Sequence, residues 1–191
     1  KVNGNLNRSF TDLMSAKVDW REALREFVTS FCADKEESTW RRPSRRWIGE
    51  DVYMPSVIGE SVGRIVVAID MSGSIGANEI GQFLGEVRKI CEVVRPEGID
   101  LLYWDTNVAQ HEKYDRGDYE ALISSTKPAG GGGTNPDCVP AFMKKEDLKP
   151  ECVIMLTDGC VSSWGTWSDP VFWGITSHVT APMGVSVRIQ D

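Results

Sequence analysis

Apolar residues gather in three short, almost unbroken runs: Ile65–Ile69, Ile99–Trp104 and Cys152–Leu156. Runs of this length, rich in Val, Ile and Leu, predict strands buried on both faces of a parallel sheet covered by helices. Each run leads to an acid, namely Asp70, Asp105 and, after Thr157, Asp158. Between the first two runs the period changes. Ile80, Phe83, Leu84, Val87, Ile90, Cys91 and Val94 trace one helical stripe that ends near Arg95-Pro96-Glu97-Gly98. A second helical face, Trp20, Leu24, Phe27, Val28 and Phe31, runs to about Cys32 behind Asp19, a fitting cap. That face needs a partner, so this helix is expected to pack on the main domain. Val108 to Tyr114 alternates after the turn Asp105-Thr-Asn107 and reads as a hairpin return strand at the sheet edge. A short helix is expected over Tyr119–Ser124. Another is expected after Asn135, a suitable cap, with Pro136 in the first helical position, running to about Lys145. Val171–Thr176 and Val185–Ile189 supply the last strands, while residues 33–61 read as irregular and residues 1–17 as weakly patterned.

Strands alternating with helices predict an α/β fold. We expect a doubly wound, mostly parallel, Rossmann-like sheet with one antiparallel edge strand over residues 61–191. An N-terminal helical and irregular extension, residues 1–60, packs on it. The 191 residues suit one domain plus an appendage. No apolar run approaches the roughly 20 residues of a membrane span, and the first residues contain no apolar signal segment. The start at Lys1 reads as a cut from something longer. A net charge of −7 argues against nucleic-acid binding by the surface as a whole. Five cysteines without a CxxC spacing read as reduced thiols in a cytoplasmic protein.

Three separated pieces should meet at the carboxyl edge of the sheet, where open α/β folds bind ligands. They are Asp70-x-Ser72-x-Ser74 after the first buried run, Thr134 after the glycines Gly130–Gly133, and Asp158 after the third run. Three hydroxyls and two carboxylates form a set of hard oxygen donors, which selects Mg²⁺, Mn²⁺ or Ca²⁺ over zinc. Ser72, Ser74 and Thr134 suit direct binding, and Asp70 and Asp158 suit holding metal-bound waters. Neutral hydroxyls leave the metal's charge largely uncompensated, so a carboxylate from a partner would be a strong further ligand. The hydroxyl-rich set leans towards Mg²⁺. A P-loop is disfavoured because no Gly-Lys-Ser/Thr follows the glycines.

Asp-x-Ser-Gly-Ser after a buried strand, Gly-Gly-Gly-Thr and Thr-Asp-Gly together resemble the metal-ion-dependent adhesion site of von Willebrand factor A-type domains. The resemblance covers about residues 61–191 and all five ligand positions. With Trp20-Arg-Glu-x-Leu-Arg-x-Phe, Arg-Arg-Pro-x-Arg-Arg and the glycine tetrad, nearly the whole chain is similar to a bacterial and phage family. In that family an A-like domain follows a domain regarded as a zincin-like metallopeptidase. The resemblance implies bound Mg²⁺, a protein partner and association with a MoxR-type AAA+ ATPase. It implies no enzyme in this chain, which lacks His-Glu-x-x-His and reads as the portion after the peptidase part.

Asp105 also ends a strand and is weighed as a partner contact against a simpler turn role. Trp164 and Trp167 are candidate partner anchors or core cover. Arg41, Arg42, Arg45 and Arg46 form a basic cluster, read first as pairing with this chain's many acids and second as a nucleic-acid contact. A metal-assisted hydrolase is the alternative from another class. It would need carboxylates bound directly to the metal and a positioned base, and neither His111 nor His178 is expected near the metal set.

Overall fold

The computed structural model describes residues 19–32, 36–43, 55–59, 63–72, 75–119, 121–124 and 133–189. Ser74, Arg45, Arg46 and the glycines at 130–132 lie outside these residues. The first described helix, α1 (Trp20–Cys32), begins where the sequence places it. The Asp19 side chain accepts the Arg21 N–H at 3.0 Å, and its carbonyl accepts those of Glu22 and Ala23. These bonds satisfy donors that the first turn leaves free.

Residues 33–61 are not wholly irregular. β1 (Glu36–Pro43) and β2 (Pro55–Gly59) pair antiparallel, Glu36 opposite Gly59 and Thr39 opposite Ser56. The charged, Pro-ended sequence of β1 hides a ladder that depends on a partner some 20 residues away. Arg41 and Arg42 fall in this strand.

The main sheet contains β3 (Ile65–Asp70), β4 (Gly98–Trp104), β5 (Val108–Asp115), β6 (Cys152–Thr157), β7 (Val171–Ile175) and β8 (Val185–Arg188). Its order is β5-β4-β3-β6-β7-β8, with β5 antiparallel at one edge and every other pairing parallel. Every residue of β3, β4 and β6 is buried, as their almost unbroken apolar runs predict, and so is every residue of β7. Among the described residues the further helices are α2 (Ala77–Val94), α3 (Ala121–Ser124) and α4 (Cys138–Lys145). α4 starts later than expected. Asn135 caps the turn that leads into it, its Oδ1 accepting the Asp137 N–H at 3.2 Å, while Cys138 and Val139 bond three residues back. That tighter first turn displaces the regular helix to Cys138.

Alternation along the strands divides the core. Ile65, Val67, Ile69, Leu101, Tyr103, Leu156 and Phe172 face α1 and α2. Val66, Ala68, Leu102, Trp104, Met155 and Trp173 face α4 and the loop carrying Trp164 and Trp167. Two buried acids lie inside this frame with partners distant in sequence. Asp100 accepts Arg64 Nε at 2.7 Å and bonds His111 Nε2 at 2.8 Å. Glu86 meets Arg25 from α1 at 3.4 Å and Lys89 at 3.2 Å.

Candidate metal centre

β3 is the central support of the site. Its register sets Ile69 opposite Leu156, so Asp70 comes out beside Thr157 at the end of β6. Asp70 is wholly buried. Its Oδ1 accepts the Ser72 N–H at 2.8 Å, and its Oδ2 accepts the Thr157 hydroxyl at 2.7 Å. Burial pushes the Asp70 carboxyl above its ordinary pKa; the Ser72 and Thr157 bonds oppose this, and the nearby Asp158 charge adds to it. Among the described residues no Lys, Arg or His pairs with Asp70. A buried carboxylate with a second carboxylate near it and no counter-charge is costly.

Thr157 acts in both directions. Its hydroxyl donates to Asp70 and accepts the Gly159 N–H at 3.1 Å. Gly159 has φ +78, and a Cβ there would stand 3.2 Å from both Ile175 Cγ2 and Val179 Cβ. This turn brings the Cys160 N–H onto Asp158 Oδ1 at 2.8 Å. Gly159→Ala is expected to cost about 1–2 kcal/mol from the left-handed backbone alone, measured by urea unfolding. Thr157, noted in the sequence only as part of Thr-Asp-Gly, is a supporting residue of the site; a hydroxyl ending a buried strand beside Asp70's strand is the signal that finds it.

The third piece is tied to the same edge through Asp105. The Met71 N–H donates to the Trp104 carbonyl at 2.8 Å, and the Asn135 N–H donates to the Asp105 carbonyl at 2.8 Å. The loop with the half-buried Thr134 is thereby fixed to the end of β4, next to β3. The Asp105 carboxylate accepts the backbone N–H groups of Thr106 and Asn107, a turn-forming role. Asp70, at the end of β3, and Ser72, Thr134 and Asp158, on loops, thus lie at the carboxyl edge of adjacent strands. No group of three or more His, Cys, Asp or Glu among the described residues could hold a metal. The candidate set depends instead on hydroxyl oxygens beside two carboxylates.

Trp164 and Trp167 both pack edge-on against Trp173, with ring centroids 5.0 and 5.6 Å away. Trp167 Nε1 also donates to the Trp164 carbonyl at 2.7 Å. Cys160 is exposed beside Asp158, and the Asp158 charge raises its thiol pKa, the opposite of an activated nucleophile. His111 is engaged by Asp100, and His178 Nδ1 lies 2.8 Å from an Arg188 nitrogen. None of the described helices is long and apolar enough to cross a membrane.

Comparison with known proteins agrees with this fold. Residues 1–58 match the family described as "Putative metallopeptidase domain". The expectation that the peptidase part lies wholly upstream is therefore corrected, although residues 1–58 contain no histidine. An uncharacterized protein of Thermotoga maritima is 34% identical over 149 residues, covering 77% of this chain and 34% of that protein. The matched region of this chain thus spans about a third of that relative. A crystal structure of an aerotolerance-related membrane protein from Bacteroides fragilis NCTC 9343, with multiple mutations to serines, is 12% identical. It has a TM-score of 0.46 over 59% of this chain and 66% of that chain, a likeness too low to carry weight. Residues 65–190, from β3 past β8, match the description "VWA-like domain (DUF2201)", and the chain belongs to that family.

Proposed function

We propose that the VWA-like unit is a divalent-metal-dependent protein-binding module. Mg²⁺ is held by the hydroxyls of Ser72, Ser74 and Thr134, with Asp70 and Asp158 holding its waters, and a partner's Asp or Glu completes the coordination. The observation that carries this reading is the buried Asp70 carboxylate, which lacks a cationic partner among the described residues and lies near Asp158. A cation bound there supplies the missing charge, and hydroxyls from neighbouring loops supply further hard oxygens. The bonds from Ser72 N–H and Thr157 Oγ fix Asp70's orientation, as metal-supporting carboxylates require. Mn²⁺ and Ca²⁺ are competing occupants. A MoxR-type AAA+ ATPase is the partner class that the family resemblance puts forward.

The test is calorimetric titration of Mg²⁺, Mn²⁺ and Ca²⁺ into the EDTA-stripped chain, followed by the same titration with a short acidic peptide present. One saturable site, tightened by the peptide, is the expected outcome. No saturable heat with any of the three ions, with or without the peptide, would refute the metal reading.

A further inference from the structure

Helix α1 belongs by sequence to the metallopeptidase-matched residues 1–58, yet its apolar face lies inside the core of the VWA-like unit. Leu24, Phe27 and Val28 are at most 1% exposed. The Phe27 ring packs 5.4 Å from Phe172 of β7, and Trp20 stacks 6.2 Å from Phe83 of α2. Glu86, itself 4% exposed, receives Arg25 from α1. At the far end the Cys32 thiol meets that of Cys152, the first residue of β6. The boundary between the two family matches, residues 58–65, therefore falls after an element that the second unit's core contains.

The contacts also give α1 a direction. Trp20 meets Phe83 and Arg25 meets Glu86, so α1 and α2 advance together. α2 descends from the carboxyl edge of the sheet, just after the Asp70–Ser72 turn, and Cys152 opens β6 at the opposite edge. α1 thus starts towards the edge that carries Asp70, Ser72 and Asp158, and ends at the other.

We propose that α1 is a coupling helix. It is the part of the metallopeptidase-matched residues that completes the VWA-like core, running from the site-bearing edge to the opposite one, so that α1 and the sheet open only together. The proposal is independent of whether the site takes a metal.

Hydrogen exchange on the full chain tests it. The amides of Leu24–Val28 and of Val66–Ala68 are expected to share the slowest class of exchange, opening only with the whole unit. Phe27→Ala should raise both sets by the same factor, about 100-fold or more. Phe27→Leu is the milder variant should the alanine chain not fold, with an equal rise of about tenfold in both sets. Fast exchange in α1 with unchanged β3 amides in either variant would make α1 a loose appendage and overturn the proposal. A nitroxide on the exposed Cys160 checks the direction. It should broaden the Trp20–Ala23 amides more than those of Ser30–Cys32, and the reverse gradient would overturn the placement at the site-bearing edge.

Discussion

Asp70→Ala is expected to abolish both the Mg²⁺ heat and the stabilisation that Mg²⁺ confers on the folded chain. In the metal-free protein the change has opposing parts. Alanine removes a buried negative charge that has no cationic partner among the described residues, which favours folding. It also leaves the Ser72 N–H and the Thr157 hydroxyl without their acceptor, which opposes folding by about 1–3 kcal/mol for each group that stays dry. The metal-free difference is therefore a few kcal/mol at most. The metal-dependent difference is larger in kind. A ligand that binds only the folded state stabilises it by about 2.7 kcal/mol at one hundred times its Kd. For a domain of this size that is an upward shift in Tm of roughly 5–10 °C. The wild-type chain should show this shift on adding Mg²⁺, and Asp70→Ala should show none. Asp70→Asn keeps the shape but loses the charge, and should weaken Mg²⁺ binding by about tenfold or more. Equal Mg²⁺ shifts in all three proteins would detach Asp70 from any metal.

The reason that much of this was legible lies in the kind of signal each part leaves. β3, β4 and β6 announce themselves because strands buried on both faces are apolar almost throughout. α1 and α2 announce themselves because each buries only one stripe. The placement of Asp70, Ser72, Thr134 and Asp158 towards one edge was legible because each follows a buried strand or precedes a helix, and the topology brings those positions there. The hairpin of β1 and β2 left no such trace, since its ladder is made by backbone groups and the charged, Pro-ended sequence of β1 shows no apolar alternation. Asp100 and Glu86 were equally silent. A buried acid is recognisable only through its partners, and Arg64 and Arg25 stand 36 and 61 residues away in sequence. The start of α4 was misplaced for a local reason. Asn135 does act as a cap, but of a tighter turn that precedes the helix.

Trp164 and Trp167 remained balanced between core cover and partner anchor in the sequence because their packing partner, Trp173, is a residue of a separate strand. Trp173 is wholly buried, and the two loop rings meet it edge-on at interplanar angles of 87° and 89°. Trp173→Ala is accordingly expected to cost about 3–5 kcal/mol, the range for emptying a large aromatic site. The measurement is urea unfolding followed by far-UV circular dichroism, which does not depend on the lost indole. Trp173→Phe should cost clearly less, because the buried Trp173 Nε1 makes no hydrogen bond among the described residues that phenylalanine would forfeit. Trp164→Ala and Trp167→Ala each remove one edge-on pair, worth about 0.5–1.5 kcal/mol beyond the area lost. Both should therefore destabilise, Trp167→Ala also freeing the Trp164 carbonyl that its indole holds. The loop they anchor begins directly after Asp158 and Gly159, so its collapse in Trp173→Ala should weaken Mg²⁺ binding as well. If instead Trp164→Ala and Trp167→Ala leave stability unchanged and reduce partner binding, the rings serve the partner rather than the core. The docking face would then extend from the metal edge along this loop.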